Sequence, residues 1–125
     1  MRKTQNITAE YLTKHPDHIF VFGDNILRVG YGGAAALRDF ENTYGFITKK
    51  YPSHNDDAYF NQKEYADVFK TEIGNLILAI KNNPNKTYLI SKLGSGLANK
   101  YMIWENIIQP GLEVLRKYKN VIFLY

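Results

Sequence analysis

The chain has no cysteine, one tryptophan, four prolines and three histidines in 125 residues. Without cysteine there is no disulfide scaffold, thiol nucleophile or thiolate zinc site. The histidines are scattered: His15 and His18 flank Pro16-Asp17, and His54 stands in a polar stretch. No spacing resembles a metal pair on a helix, so neither metal nor cofactor is expected. No run approaches the ~18 apolar residues of a membrane span. The opening Met1-Arg2-Lys3-Thr4-Gln5-Asn6 leads into no apolar signal core, so the expected location is the cytoplasm. Only Ser53, Ser91 and Ser95 supply serine, and none lies in the Gly-x-Ser-x-Gly setting of a hydrolase nucleophile.

What is present suits one globular domain over residues 1–125. Hydrophobic residues make up 45% and the formal net charge is +4, a composition that excludes disorder. The basic residues form no stripe; no run exceeds two, as in Lys49-Lys50 and Arg116-Lys117. Nucleic-acid binding is therefore not the favoured reading.

Thr8 to His15 reads as a short helix with Thr8 as N-cap and Pro16 closing it. Ile19-Phe20-Val21-Phe22 is a continuous apolar run, the mark of a strand covered on both faces. It is expected to stop at Gly23-Asp24-Asn25. A glycine segment, Gly30-Tyr31-Gly32-Gly33, then leads into an alanine-rich helix from Ala34 to Phe40. Tyr44 to Thr48 reads as a second strand and Pro52 to Phe60 as an exposed loop. Tyr65, Val68, Phe69, Leu76, Ile77 and Ile80 recur at helical spacing. Thr87 to Ser91 is a third strand running into Leu93-Gly94-Ser95-Gly96-Leu97. Trp104 to Tyr118 is helical by pattern, with Pro110 either kinking it or starting a second helix. Val121 to Tyr125 is a last strand. Alternating strands and helices predict an α/β fold, a mostly parallel sheet flanked by helices.

Ligands of such sheets bind beyond the carboxyl ends of the strands. Six of the nine glycines fall after two predicted strands: Gly23, Gly30, Gly32 and Gly33, then Gly94 and Gly96. Glycine permits close approach and lets successive amides point at phosphate oxygens. A helix opening after the first loop would add its positive end. Neither loop matches the phosphate loop of nucleotide hydrolases or the dinucleotide Gly-x-Gly-x-x-Gly fingerprint. Asp24 and Asn25 stand at the mouth of the expected crevice. Asp24 suits a general base or a ribose acceptor, and Asn25 suits hydroxyl recognition. Thr48, Lys49 and Ser91 lie at or near the other strand ends, Lys49 could neutralise phosphate, and Ser95 reads as a loop residue offering its hydroxyl and amide. Tyr31 and Tyr125 are placed to stack on a purine.

Apolar strand, Asn-bearing turn, glycine loop and alanine-rich segment, followed by Gly94-Ser95-Gly96, a helix and an apolar strand, resemble a macro domain. Val21-Phe22-Gly23-Asp24-Asn25 with Gly32-Gly33, Gly45 to Lys50 and Gly94 to Ala98 is also similar to a family of small phage and bacterial proteins. The resemblance implies a three-layer macro-like domain that binds ADP-ribose or a related nucleotide. It places Asn25 by the distal ribose with Gly32 and Gly33 alongside, Gly94 to Leu97 around the diphosphate and Tyr125 near the adenine. Partners expected on this basis are a small nucleotide ligand or an ADP-ribosylated macromolecule, in the host cytoplasm if the chain is phage-encoded. Asp24 beside Asn25 adds the expectation of ADP-ribosyl or phosphoester hydrolysis. A non-enzymatic protein that sequesters the nucleotide, or a basic nucleic-acid accessory protein, are the alternatives.

Overall fold

The computed structural model describes residues 6–125; the polar opening Met1 to Gln5 lies outside them. Four parallel strands form the sheet: β1 (His18–Asn25), β2 (Thr43–Lys49), β3 (Thr87–Ile90) and β4 (Val121–Phe123). Their order is β2-β1-β3-β4. The chain first builds outward from β1 to β2, then crosses back to place β3 on the other flank. The gap between the carboxyl ends of β1 and β3 is therefore the switch point where open α/β sheets hold ligands.

Alternation along β1 sorts its side chains into two cores. Val21 packs with Phe46, Tyr88 and Ile90 under helix α2 (Gln62–Asn82) and the last helical segment. Phe20 and Phe22 pack on the other face with Leu12 of helix α1 (Ala9–Lys14), Leu89 and Leu124. Helical elements thus cover both faces, giving three layers. α1 begins on the predicted Thr8 cap, whose hydroxyl accepts from the Tyr11 amide. α2 opens with a reciprocal box: Asn61 accepts from the Glu64 amide while Glu64 accepts from the Asn61 amide. Such an arrangement satisfies two of the orphan donors at a helix start.

Three expectations need correction. β1 does not end at Phe22; Gly23, Asp24 and Asn25 continue the strand, pairing with Phe46, Ile47 and Lys49 across a bulge at Asp24/Asn25. The alanine run forms only a 3-10 turn, Gly33–Leu37. Alanine propensity is a weak prior, and here the Thr43 hydroxyl bonds the carbonyls of Arg38 and Phe40 while Arg38 is drawn back toward β1. Residues 52–60 are not uniformly exposed: Ala58, Tyr59 and Phe60 are buried, and Tyr59 bridges to Lys49. Pro110 stands in the first two positions of a second helical element, close to the second of the two expected readings. A π turn over Trp104–Ile108 runs into α3 (Gln109–Leu112) and a 3-10 turn, Glu113–Lys117. The missing Pro110 amide is absorbed by widening the turn before it, where the Gln109 amide reaches back to the Trp104 carbonyl. No helix among the described residues is long and apolar enough to cross a membrane.

Candidate functional site

The carboxyl ends of β1, β2 and β3 surround one cleft of about 580 Å³, within the range usual for small-molecule sites, about 300–1,000 Å³. Gly23 to Asn25 form its back wall, Gly30, Gly32 and Gly33 one side, and Ser91 to Ala98 the other. Thr48 and Lys49 close it from β2. The two glycine loops read from the sequence therefore belong to a single site.

Close packing sets the base of the cleft. Thr48 is buried, its hydroxyl donating to the Asp24 carbonyl at 3.3 Å. Gly94 has φ +73, and a Cβ there would lie 2.7 Å from Ile108 Cδ1 and 3.3 Å from Thr48 Cγ2. Only glycine fits on both counts. Gly32 differs. Its φ of −75 and ψ of 144 suit any residue, and no atom lies within 4 Å of a Cβ built there. What its missing side chain leaves is room in the cleft.

Polar capacity is left over at two places. Asn25 is buried; its Nδ2 donates to the Val29 carbonyl at 2.8 Å, while Oδ1 has no partner. Since a carbonyl only accepts, the amide is oriented by that contact. A buried acceptor without a donor is uncommon. On the other side, the amides of Gly94, Gly96 and Leu97 find no acceptor among the described residues. The Ser95 hydroxyl is spent on the Lys92 carbonyl at 2.7 Å.

The expected role of Asp24 as a base does not fit. Both its oxygens are engaged: Oδ1 accepts from Arg38 Nη2 at 2.7 Å and from the Asn25 amide at 2.8 Å. Oδ2 accepts from Arg28 and Arg38 Nη1, each at 3.2 Å. Burial alone would raise its pKa, but bonds from Arg38, the Asn25 amide and Arg28 outweigh it and hold the carboxyl below the ordinary range. A carboxylate so stabilised is a poor proton acceptor. The positive end of a helix is also missing from the first loop, because five residues of 3-10 turn supply no helix of useful length.

Both tyrosines leave the cleft. Tyr31 is exposed and its hydroxyl donates to Asp39 at 2.9 Å. Tyr125 stacks edge-on against Trp104 at 5.2 Å and Phe123 at 5.5 Å. Burial pushes its phenol up to about 12. Neither ring lines the cavity. Conversely, Val29, His54, Lys92 and the Pro52-Ser53 turn line it without having been expected. Lys92 carried a usable signal, a cation directly after an apolar strand and two residues before Gly94; His54 carried none.

Residues 2–99 match the model of a family of unknown function, DUF7831. The chain belongs to this family. The DUF7831 match takes in every residue that lines the cleft, while the last helical segment and β4 lie beyond it. Neither a curated protein nor a solved structure matches the chain.

Proposed function

We propose that the cleft binds ADP-ribose or a related nucleotide, and that the protein acts as a binder of this ligand in the cytoplasm, that of the host if it is phage-encoded. The observation that carries the reading is the unspent polar capacity at the switch point: free amides at Gly94, Gly96 and Leu97, with the Asn25 Oδ1 acceptor in the same cleft. The adjacent Gly96 and Leu97 amides, with that of Gly94 nearby, favour phosphate oxygens, and a lone acceptor favours a hydroxyl donor such as that of a ribose. The order of motifs shared with macro domains supports the same ligand. The ligand is free or attached to an ADP-ribosylated macromolecule.

Binding without turnover is favoured over hydrolysis because, among the described residues, Asp24 is the one carboxylate along the cleft and both its oxygens are occupied. The test is a thermal-shift panel of ADP-ribose, NAD, cyclic ADP-ribose and mononucleotides, followed by recovery of the ligand. A ligand at 100 times its dissociation constant should stabilise the fold by about 2.7 kcal/mol. ADP-ribose is expected to raise Tm and return intact. Response to none of them would overturn the reading, and turnover of the ligand would overturn the non-catalytic part of it.

A further inference from the structure

Six cations among the described residues pair with carboxylates. Lys14 pairs with Glu10, Lys50 with Glu64, Lys100 with Asp56, Arg116 with Glu113, and both Arg28 and Arg38 with Asp24. The two lysines of the cleft are not among them, and neither are Lys63, Lys70, Lys81, Lys86, Lys117 and Lys119. Lys49 donates from Nζ to the Ser53 carbonyl at 2.8 Å and lies 4.8 Å from the centre of the Tyr59 ring. Lys92 holds Nζ 5.7 Å from the Trp104 ring. Among the described residues neither ammonium has a carboxylate within salt-bridge reach. Glu105 feels the Lys92 charge, but its carboxylate is committed first to Asn99.

What distinguishes Lys49 and Lys92 is their position, since both line the cleft. Lys49 ends β2 and Lys92 follows β3, with β1 between them. Their backbones therefore stand two strand spacings apart, about 10 Å, on opposite sides of the Gly23–Asn25 wall. Aromatic rings hold each cation by their negative faces without neutralising it. Two cationic residues on the lining of one cleft, neither matched by a carboxylate, attract an anion of matching extent.

We propose that Lys49 and Lys92 read the charge of the ligand, each meeting one phosphoryl group, so that the cleft selects an organic diphosphate over a phosphate monoester or an uncharged nucleoside. The assignment rests on the reading of the cleft as a nucleotide site and adds to it the residues that set ligand class. Both side chains contact the ligand directly, while the Gly94, Gly96 and Leu97 amides take the oxygens between them.

Calorimetric titration of ADP-ribose, AMP, adenosine and inorganic pyrophosphate into wild type, Lys49→Gln and Lys92→Gln tests it. Glutamine keeps a donor and removes the charge. ADP-ribose should bind wild type most tightly and weaken roughly tenfold or more in each variant. AMP should respond to only one of the two substitutions. Lys49→Arg and Lys92→Arg, which keep the charge, should restore much of the ADP-ribose affinity. Equal ADP-ribose affinity in wild type and both glutamine variants would overturn the lysine assignment and leave the nucleotide reading standing. Pyrophosphate binding that needs both lysines, with no binding of ADP-ribose, would uphold the assignment and overturn the nucleotide reading. Absence of binding by all four probes would overturn both.

Discussion

Arg38 closes on Asp24 with two nitrogens, Nη2 on Oδ1 at 2.7 Å and Nη1 on Oδ2 at 3.2 Å, and its Nε holds the Gly30 carbonyl at 2.6 Å. Nη2 also reaches the Val29 carbonyl at 3.0 Å. One guanidinium thus ties the end of β1 to the glycine loop that forms a wall of the cleft. The planar fork explains why arginine serves here, since lysine offers no such set of directed donors. Asp24 shapes the site by fixing this arginine.

Asp24→Ala should be strongly destabilising. The Asp24 side chain is 2% exposed and that of Arg38 10%, and breaking a buried pair leaves an uncompensated charge, costing about 3–5 kcal/mol. Arg28 is half exposed and adds little. Urea unfolding of the purified variant measures the loss; a change under about 1 kcal/mol would contradict this account of the pair.

The same pair gives stability a sign with pH. The folded-state pKa of Asp24 lies below its ordinary value, so its contribution is fully present above the unfolded pKa, about 3.9, and is lost as pH falls through the folded value. The stability gap between wild type and Asp24→Asn should therefore be widest at neutral pH and shrink progressively as pH falls below the unfolded value. Chemical unfolding of both across that window checks it. A constant gap would mean that the charge of Asp24 is not what holds Arg38.

Much of this was legible in the residues. Continuous apolar runs announced β1 and β3, helical periodicity announced α2, and both glycine loops fell where the sheet needs them. Asp24 was misjudged because its partner lies outside any local pattern. Arg38 reaches it only because the alanine segment folds as a tight 3-10 turn, which depends on Thr43 and on Arg38 itself. Tyr125 was placed near a ligand by its position at a strand end. Its ring goes instead to Trp104, on a π turn that no sequence pattern announces. Strand ends fix where a backbone goes; which way a terminal side chain turns is decided by packing from elements remote in sequence.

Gly32→Ala and Gly94→Ala should separate room from conformation. At Gly32 the backbone is ordinary and a Cβ meets nothing, so stability should stay within about 0.5 kcal/mol of wild type while ligand affinity falls. At Gly94 the positive φ and the contact with Ile108 should together cost about 2–4 kcal/mol. Thermal melts with and without ADP-ribose distinguish them. Unchanged affinity in Gly32→Ala would show that its open side does not face the ligand.

Glu72 guards the outer edge of the sheet. Buried on α2, it accepts the Ile47 amide of β2 at 2.8 Å, and the Tyr65 hydroxyl donates to the Ile47 carbonyl at 2.6 Å. The edge strand is thereby closed to pairing at this residue. Glu72→Ala should cost about 1–3 kcal/mol by stranding the Ile47 amide, whereas Glu72→Gln keeps an acceptor and should cost less. Equal losses in the two variants would point to side-chain packing as the cause.

Asn25 offers the cleanest separation of binding from folding. Its amide nitrogen supports Val29, but the Val29 carbonyl keeps Arg38 when that bond is removed. Its Oδ1 gives the folded protein nothing, being buried without a donor. Asn25→Ala should therefore cost no more than about 1 kcal/mol of stability. If a ligand hydroxyl satisfies Oδ1, the same substitution removes a bond formed only in the complex, and affinity should fall about tenfold. Unfolding and titration on one preparation give both numbers. A loss of affinity no larger than the loss of stability would mean that Oδ1 meets no ligand donor, and the ribose would have to lie elsewhere in the cleft.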